Sequence, residues 1–406
     1  MNSFYLTNQI IFFFFRLLLL FSYFLILFNC TDIKRPSIGS IFANSLFVIP
    51  GAGLERVGVV TSDFGTSGRF VVINPDIEIA VPTFANIHSD AVVRFIDGKV
   101  FIINRLNRDS ILILNPYIAY LPEFEYSVGS GNNPQDIVKV NENKAYITLY
   151  NSRNLLVVNP YSGALIRTID LGQYAESSSA GIVGPDGIPE MSRMYIEGSS
   201  LYIQLQRLDR NDPSGIPTPN SNSLLLEIDL NSDTVINSYD FKSRNPISKI
   251  QRLEMGGELF LIMCAPNRLG FISQLDGGVV AFSLTTKTFR TNFLYSELEA
   301  GGDILDVQIK NESEGYAFVL DSSFNKSVHQ FNPSTGSRIN TILSFSASAG
   351  NISGLLLTRQ GRLYVGDGTF SRPGVLIFDT NRVDKPRITQ TSIDVGLRPF
   401  DLVEIQ

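Results

Sequence analysis

The sequence predicts an all-β fold, a seven-bladed β-propeller, and three observations carry that prediction. An apolar strand ending in Asn-Pro recurs as FVVINPD from Phe70, ILILNPY from Ile111 and LLVVNPY from Leu155. The spacing, roughly 40 to 45 residues, is the size of one four-stranded blade and not of a helical repeat. Apolar residues make up 44% of the 406-residue chain and charged residues 18%, with 32 Gly and 19 Pro, which suits many short strands joined by tight turns. Finally, the two ends hold complementary parts of one blade. RPFDLVEI from Arg398 reads like the opening strand NPQDIVKV from Asn133, whereas RVGVVTSDFGTSGRFVVINPD from Arg56 supplies later strands without an opening one. Joined, they close a ring and remove the edges that an open sheet presents.

The blades follow in order. DAVVRFIDGKVFIINRLNRDSILILNPY from Asp90 and DIVKVNENKAYITLYNSRNLLVVNPY from Asp136 each read strand, turn, strand, turn, strand. Turn chemistry marks the breaks at Asp97-Gly98, at Asn141-Glu142-Asn143 and after each Asn-Pro-Tyr. A fourth strand runs from Ala164 to Ile169. Met191, Leu201, Leu224 and Thr234 begin the strands of the next unit, and Ser248, Glu258, Gly278 and Thr288 those of the fifth. Later units start near Asp303 and Ile352, the first of them carrying FNPSTGSRINTI from Phe331, which echoes VNPYSGALIRTI from Val158. With the closing blade the count is seven.

The segment AYITLYNSRNLLVVNPYSGALIRTI, Ala145 to Ile169, resembles the repeat of the surface-layer and YVTN-type seven-bladed propellers, in which an aromatic-apolar-Thr strand meets an apolar strand ending in Asp or Asn and a Ser-Gly or Thr-Gly turn. The resemblance covers Asp90 to Leu171 and the C-terminal strand; elsewhere only the strand rhythm persists. It implies a propeller used as a binding platform, with catalysis the exception. The absence of Trp excludes WD-repeat signatures, and the glycine pairs at Gly256, Gly277 and Gly301 lack the aromatic context of kelch repeats.

Residues Ile10 to Phe28 are almost wholly apolar, interrupted by Arg16, and end at Asn29-Cys30 before TDIKRPS. Such a segment is an address, not part of a core. Leu17 to Phe28 fit the apolar region of a signal peptide, and with Leu27 and Cys30 in place the segment resembles a bacterial lipoprotein signal in its relaxed, spirochaete-like form. That resemblance implies residues 1–29 as signal peptide, lipidation of Cys30, 30–50 as tether and 51–406 as the propeller. A rival reading is an uncleaved membrane anchor, since Ile10 to Asn29 is long enough to span a bilayer if Arg16 snorkels. Both place the remaining chain outside the cytoplasm, at the outer membrane, cell surface or periplasmic side.

A net charge of −6 with scattered Lys and Arg argues against nucleic-acid binding. The two cysteines, Cys30 and Cys264, rule out a disulfide framework. His88 and His329, the only histidines, cannot make a three-His zinc site and read as structural. No nucleophile elbow, phosphate loop or dinucleotide fingerprint occurs, so no catalytic residue and no cofactor is expected.

Loop length can be read by face. Turns between first and second strands and after third strands stay short, while the opposite face carries Gly172 to Glu190, Arg207 to Ser221 and Ala265 to Asp276, all around the fourth blade. Long loops on a rigid scaffold are where binding residues tend to lie. The candidate binding face therefore comprises Tyr174, Asp186, Arg207, Asp209, Arg210, Asp212, Arg268, Phe271 and Asp276. Asp209-x-Asn211 opens like a calcium loop, but Pro213 sits where a third oxygen ligand is expected; the 209–215 loop reads as a solvated charged loop. Asp90, Asp136, Asp303 and Asp401 open inner strands; ringed around the channel mouth, such carboxylates would hold a cation such as calcium, and their simpler role is to satisfy backbone N–H groups at strand starts. The sequence thus predicts a membrane-tethered, non-enzymatic and monomeric binding module for a protein or extracellular polymer. The alternative is a cation-dependent propeller hydrolase or lactonase using the channel-mouth carboxylates.

Overall fold

The computed structural model describes residues 55–176, 185–212, 217–268 and 274–406. The segments 1–29 and 30–50, with Cys30, lie outside the described residues, as do Phe271 and residues 213–215 of the proposed calcium loop.

Seven four-stranded antiparallel sheets are formed, and each is one blade of a seven-bladed propeller. Six of them take their strands consecutively from the chain. In the first blade the inner strand is Arg398–Ile405, which pairs antiparallel with Arg56–Ser62, Ile405 opposite Arg56 and Arg398 opposite Ser62. The other inner strands are Ala91–Ile96, Pro134–Asn141, Met191–Glu197, Gln251–Met255, Asp303–Asn311 and Ile352–Leu357.

The Asn-Pro phrase has a physical cause. At the end of a third strand, the Asn115 side chain accepts the Tyr117 N–H at 2.9 Å, and Asn159 accepts those of Tyr161 and Ser162 at 3.0 Å. An Asx turn of this kind reverses the chain by satisfying backbone donors locally. The sixth blade repeats the phrase, Asn332 capping Ser334 and Thr335, and blades without it use the same device: Asp229 caps Asn231 and Ser232, Ser283 caps Thr285 and Thr286, and Asp379 caps Asn381. With Asn74 capping Asp76, all seven third strands end in one chemistry written with three residue types.

The sheets pack face to face through second and third strands. Phe101, Ile147, Ile203 and Leu226 are fully buried at the interfaces of blades two to four, each side chain contributing about 1.5–3 kcal/mol of burial. Inner strands are also stitched by side chains reaching the next blade's backbone. Asp401, Asp136 and Asp306 accept the N–H groups of Val93, Met194 and Leu355, each at 2.9 Å. Gln251 bridges to both Val307 O and Ile309 N–H.

The fifth blade departs from expectation. Its inner strand begins at Gln251, not Ser248, because the Ser248 hydroxyl accepts the Cys264 N–H at 2.8 Å in place of a ladder bond. Its outer strand is Tyr295–Ser296, not a run from Thr288. Lys287 takes a left-handed turn that returns Thr288 to Ser283, and Phe289 packs 4.7 Å from Phe241 and 5.1 Å from Phe282, centroid to centroid. Apolar packing of that ring replaces a regular edge ladder. Among the described residues no helix is long and apolar enough to cross a membrane.

Candidate functional site at the channel mouth

Inner strands run from the long-looped face toward the short-looped one, so the residues near their starts surround the axis at the first of these faces. There a cavity of about 460 Å³ opens. Its wall is part apolar, with Phe64, Phe318, Phe400 and Leu355, and part charged, with Arg105, Arg193, Lys249, Lys326, Asp306 and Asp401. The volume is that of a small-molecule site.

Each charge has a definite environment. Asp401 Oδ1 accepts from Lys249 Nζ at 2.7 Å and from the Leu402 N–H at 2.9 Å, while Oδ2 holds Val93. Burial alone would raise its carboxyl, but Lys249 and Arg193 hold it below the usual carboxylate range. Among the described residues no cation is in hydrogen-bond contact with Asp306; its oxygens accept the Val307 and Leu355 N–H groups at 2.9 Å. Burial pushes that carboxyl up to about 6 against the opposing pull of those N–H groups and of Lys249. Below the cavity Arg94 Nε reaches Asp136 Oδ1 at 2.7 Å in a two-pronged pair, a geometry in which charge and direction reinforce one another. Arg105 pairs with Asp90 and with Gln135 Oε1 at 2.8 Å, and its guanidinium lies 5.6 Å from the Phe400 ring centroid.

Aromatic rings and Arg398 form the rim. The Arg398 guanidinium sits between Phe64 and Phe370, 4.4 and 3.9 Å from their centroids, a cation–π sandwich. Phe370 nevertheless leaves 83% of its surface to solvent and Phe64 53%.

Of the four aspartates expected at the mouth, only Asp401 lines the cavity. Asp136 lies deeper, paired with Arg94; Asp90 is held by Arg105; Asp303 is buried at its strand start. The position equivalent to Asp136 and Asp401 in the sixth blade is Asp306, which the sequence reading passed over. Arg193, Lys249, Arg94 and Arg105 were missed as well. The signal for Asp306 is present, since Asp-Val follows the Asp-Ile and Asp-Leu of the other two clamps and a register shift adjoins all three aspartates, but Asp303 opens the same strand and takes its place in the sequence pattern. Among the described residues no three His, Cys, Asp or Glu side chains converge as a metal-ligand set.

The fourth-blade candidates form a second constellation on the same face, and their polar groups point at one another. Arg210 donates to Glu190 Oε1 at 2.6 Å, to Tyr150 O at 2.6 Å and to Asn151 Oδ1 at 3.1 Å, with Asp186 3.6 Å away. Arg207 donates to the Asn222 and Ala175 carbonyls. Asp209 caps Asn211 and accepts from Asn220, which also meets Arg268 at 3.3 Å; Asp212 accepts from Thr218. Asp276 accepts from Asn267, and Tyr174 packs against the core. These residues brace long loops. His329, by contrast, is a core residue between Tyr295 and Ser327, its pKa lowered to about 4 by burial, and Cys264 is buried with its thiol pushed up to about 12.

No protein-family model and no curated protein sequence matches this chain. Its likeness is to solved structures. Two Bacteroides proteins, each named "putative 6-phosphogluconolactonase", superpose well: the one from Bacteroides fragilis has a TM-score of 0.59 at 14% identity over 88% of this chain and 100% of its own. The one from Bacteroides uniformis has a TM-score of 0.57 at 14% identity over 87% and 99%. Dihydro-heme d1 dehydrogenase NirN has a TM-score of 0.53 at 12% identity over 86% of this chain and 75% of its own. At such identities the likeness shows the propeller fold alone.

Proposed function

We propose that this propeller is a binding module that takes its ligand at the channel mouth on the long-looped face, displayed outside the cytoplasm on a lipid tether at Cys30. The observation that carries the reading is the cavity itself: about 460 Å³ on the ring axis, walled by residues from six inner strands or the loops beside them. A site built on strands is held more rigidly than one on loops. The geometry favours this place over the fourth-blade loops, whose polar groups are engaged with each other. It also favours binding over hydrolysis, because the channel acids Asp136 and Asp401 each hold a cationic side chain and a neighbouring blade's N–H. The names carried by the superposable enzymes describe those proteins; what they share with this chain is the scaffold.

Gly354 supplies the test. It lines the cavity, and a Cβ there meets only Leu402 Cδ1, at 3.7 Å, and other atoms beyond that. Gly354→Phe should fill the mouth while the blades remain folded. Purified wild type incubated with cell-envelope extract should retain a small molecule, detected by mass spectrometry, that the folded Gly354→Phe protein does not; equal recovery from both refutes the site. Separately, Cys30→Ser should move the protein from the membrane to the soluble fraction, and continued membrane retention would favour the spanning anchor.

A further inference from the structure

The cavity wall carries four cations, Arg105, Arg193, Lys249 and Lys326, and two acids, Asp306 and Asp401. Pairing removes some of this imbalance. Lys249 belongs to Asp401 and Arg105 to the rim residue Asp90. Arg193 has no carboxylate within ion-pair distance among the described residues; its one hydrogen bond runs from Nη1 to the Gln135 carbonyl at 2.9 Å. Asp136 and Asp401 act on it only at longer range, Arg105 and Arg94 oppose them, and burial lowers its pKa. Lys326, at the start of its strand beside the mouth, likewise has no ion pair among the described residues.

Arg193 is partly exposed, and a guanidinium that lines a cavity without a counter-ion is stabilised when an anion reaches it. Around that charge the wall is apolar and aromatic, from Phe64, Phe318, Phe400 and Leu355. Resting on the binding reading above, we infer that the ligand is an amphipathic organic anion, with a carboxylate or phosphate seated on Arg193 and an apolar body against the Phe64 and Phe400 rings, Lys326 adding attraction at the entrance.

Calorimetry at low salt with naphthoate, naphthyl phosphate and naphthamide tests the inference on the full propeller. These probes share an apolar body and differ in charge, and the two anions separate the carboxylate and phosphate forms. At least one anion should bind about 10-fold or more tighter than naphthamide, and added NaCl should weaken it. Arg193→Gln should erase that preference, bringing the anions to the affinity of naphthamide. Lys326→Gln, at the more exposed rim, should reduce anion affinity by a factor of about 2 to 5. Circular dichroism and melting of both variants establish that they fold; should Arg193→Gln fail to, Lys326→Glu replaces it, with the same loss of anion preference expected. Naphthamide binding as tightly as both anions overturns the inference, and so does unchanged anion binding in the Arg193 variant. If naphthamide binding is then lost in Gly354→Phe, the pocket reading survives while the anion assignment falls. If none of the three probes binds wild type, the assignment also falls.

Discussion

At the scale of single residues, two buried carboxyl groups predict opposite pH responses. Asp306 is held up at about 6 by burial, so between roughly pH 4 and 6 the folded chain binds the proton more tightly than the unfolded one, and stability falls as pH rises through that window. Asp306→Asn removes this penalty: in urea denaturation, its stability relative to wild type should improve by about 3 kcal/mol from pH 4 to pH 7. A difference that stays constant with pH would refute the shift. Glu227 responds the other way. Burial would raise it, but Lys287, Tyr239, Ser200 and Tyr202 all donate to it and hold it near 2. Its contribution is present above about pH 4.5 and is lost as pH falls toward 2. Glu227→Gln should therefore be most damaging at neutral pH, with the gap to wild type narrowing by about 3 kcal/mol across that window. Neither shift could be read from the sequence, because a carboxyl's environment comes from strands far away in the chain. Asp306 faces Lys249 and Leu355, and Glu227 faces Lys287.

At the scale of elements, turns and strand breaks were legible and packing-driven irregularities were not. The Asn-Pro phrase is visible at Asn74, Asn115, Asn159 and Asn332 because Asn followed by Pro is a distinctive spelling of the Asx turn. Asp229, Ser283 and Asp379 perform the same capping without it. The broken outer strand of the fifth blade depends on where the Phe289 ring packs, which no local pattern states. The loops of the fourth blade were recognised by length and charge, yet not their inward bracing. Glu190 is the hidden partner, its side chain wholly buried against Arg210. Arg210→Ala removes the cation beside a carboxyl that burial already pushes up to about 8, together with its bonds to the Tyr150 carbonyl and Asn151; Glu190 then takes up a proton, and the loss by thermal or chemical melting is about 1–3 kcal/mol. Arg153→Ala, which breaks an exposed pair with Asp170, should leave the melting midpoint close to that of wild type on the same measurement.

For the whole molecule, ring closure was readable from the mismatch of the two ends, and the blade count followed from it. The site was not readable, since its charged wall is drawn from separate blades and assembles only when the inner strands converge on one axis. Removing residues 398–406 tests closure. It strips Arg56–Ser62 of its partner strand and deprives Lys249 of Asp401. The shortened chain should lose cooperative melting and associate through the bared edge, as read by calorimetry and size-exclusion chromatography. A monomer melting like wild type would mean that closure contributes little.

On the proposed binding function, that closing strand links maturation to ligand capture. Arg398, Phe400 and Asp401 belong both to the seam and to the mouth. They also lie on the last strand of the propeller to be synthesised. A nascent chain can build its middle blades during synthesis, but the pocket comes into being only when the seam is sewn. Ligand occupancy then reports a finished ring, and the ligand, by binding only that state, lends its own affinity to keeping the ring shut.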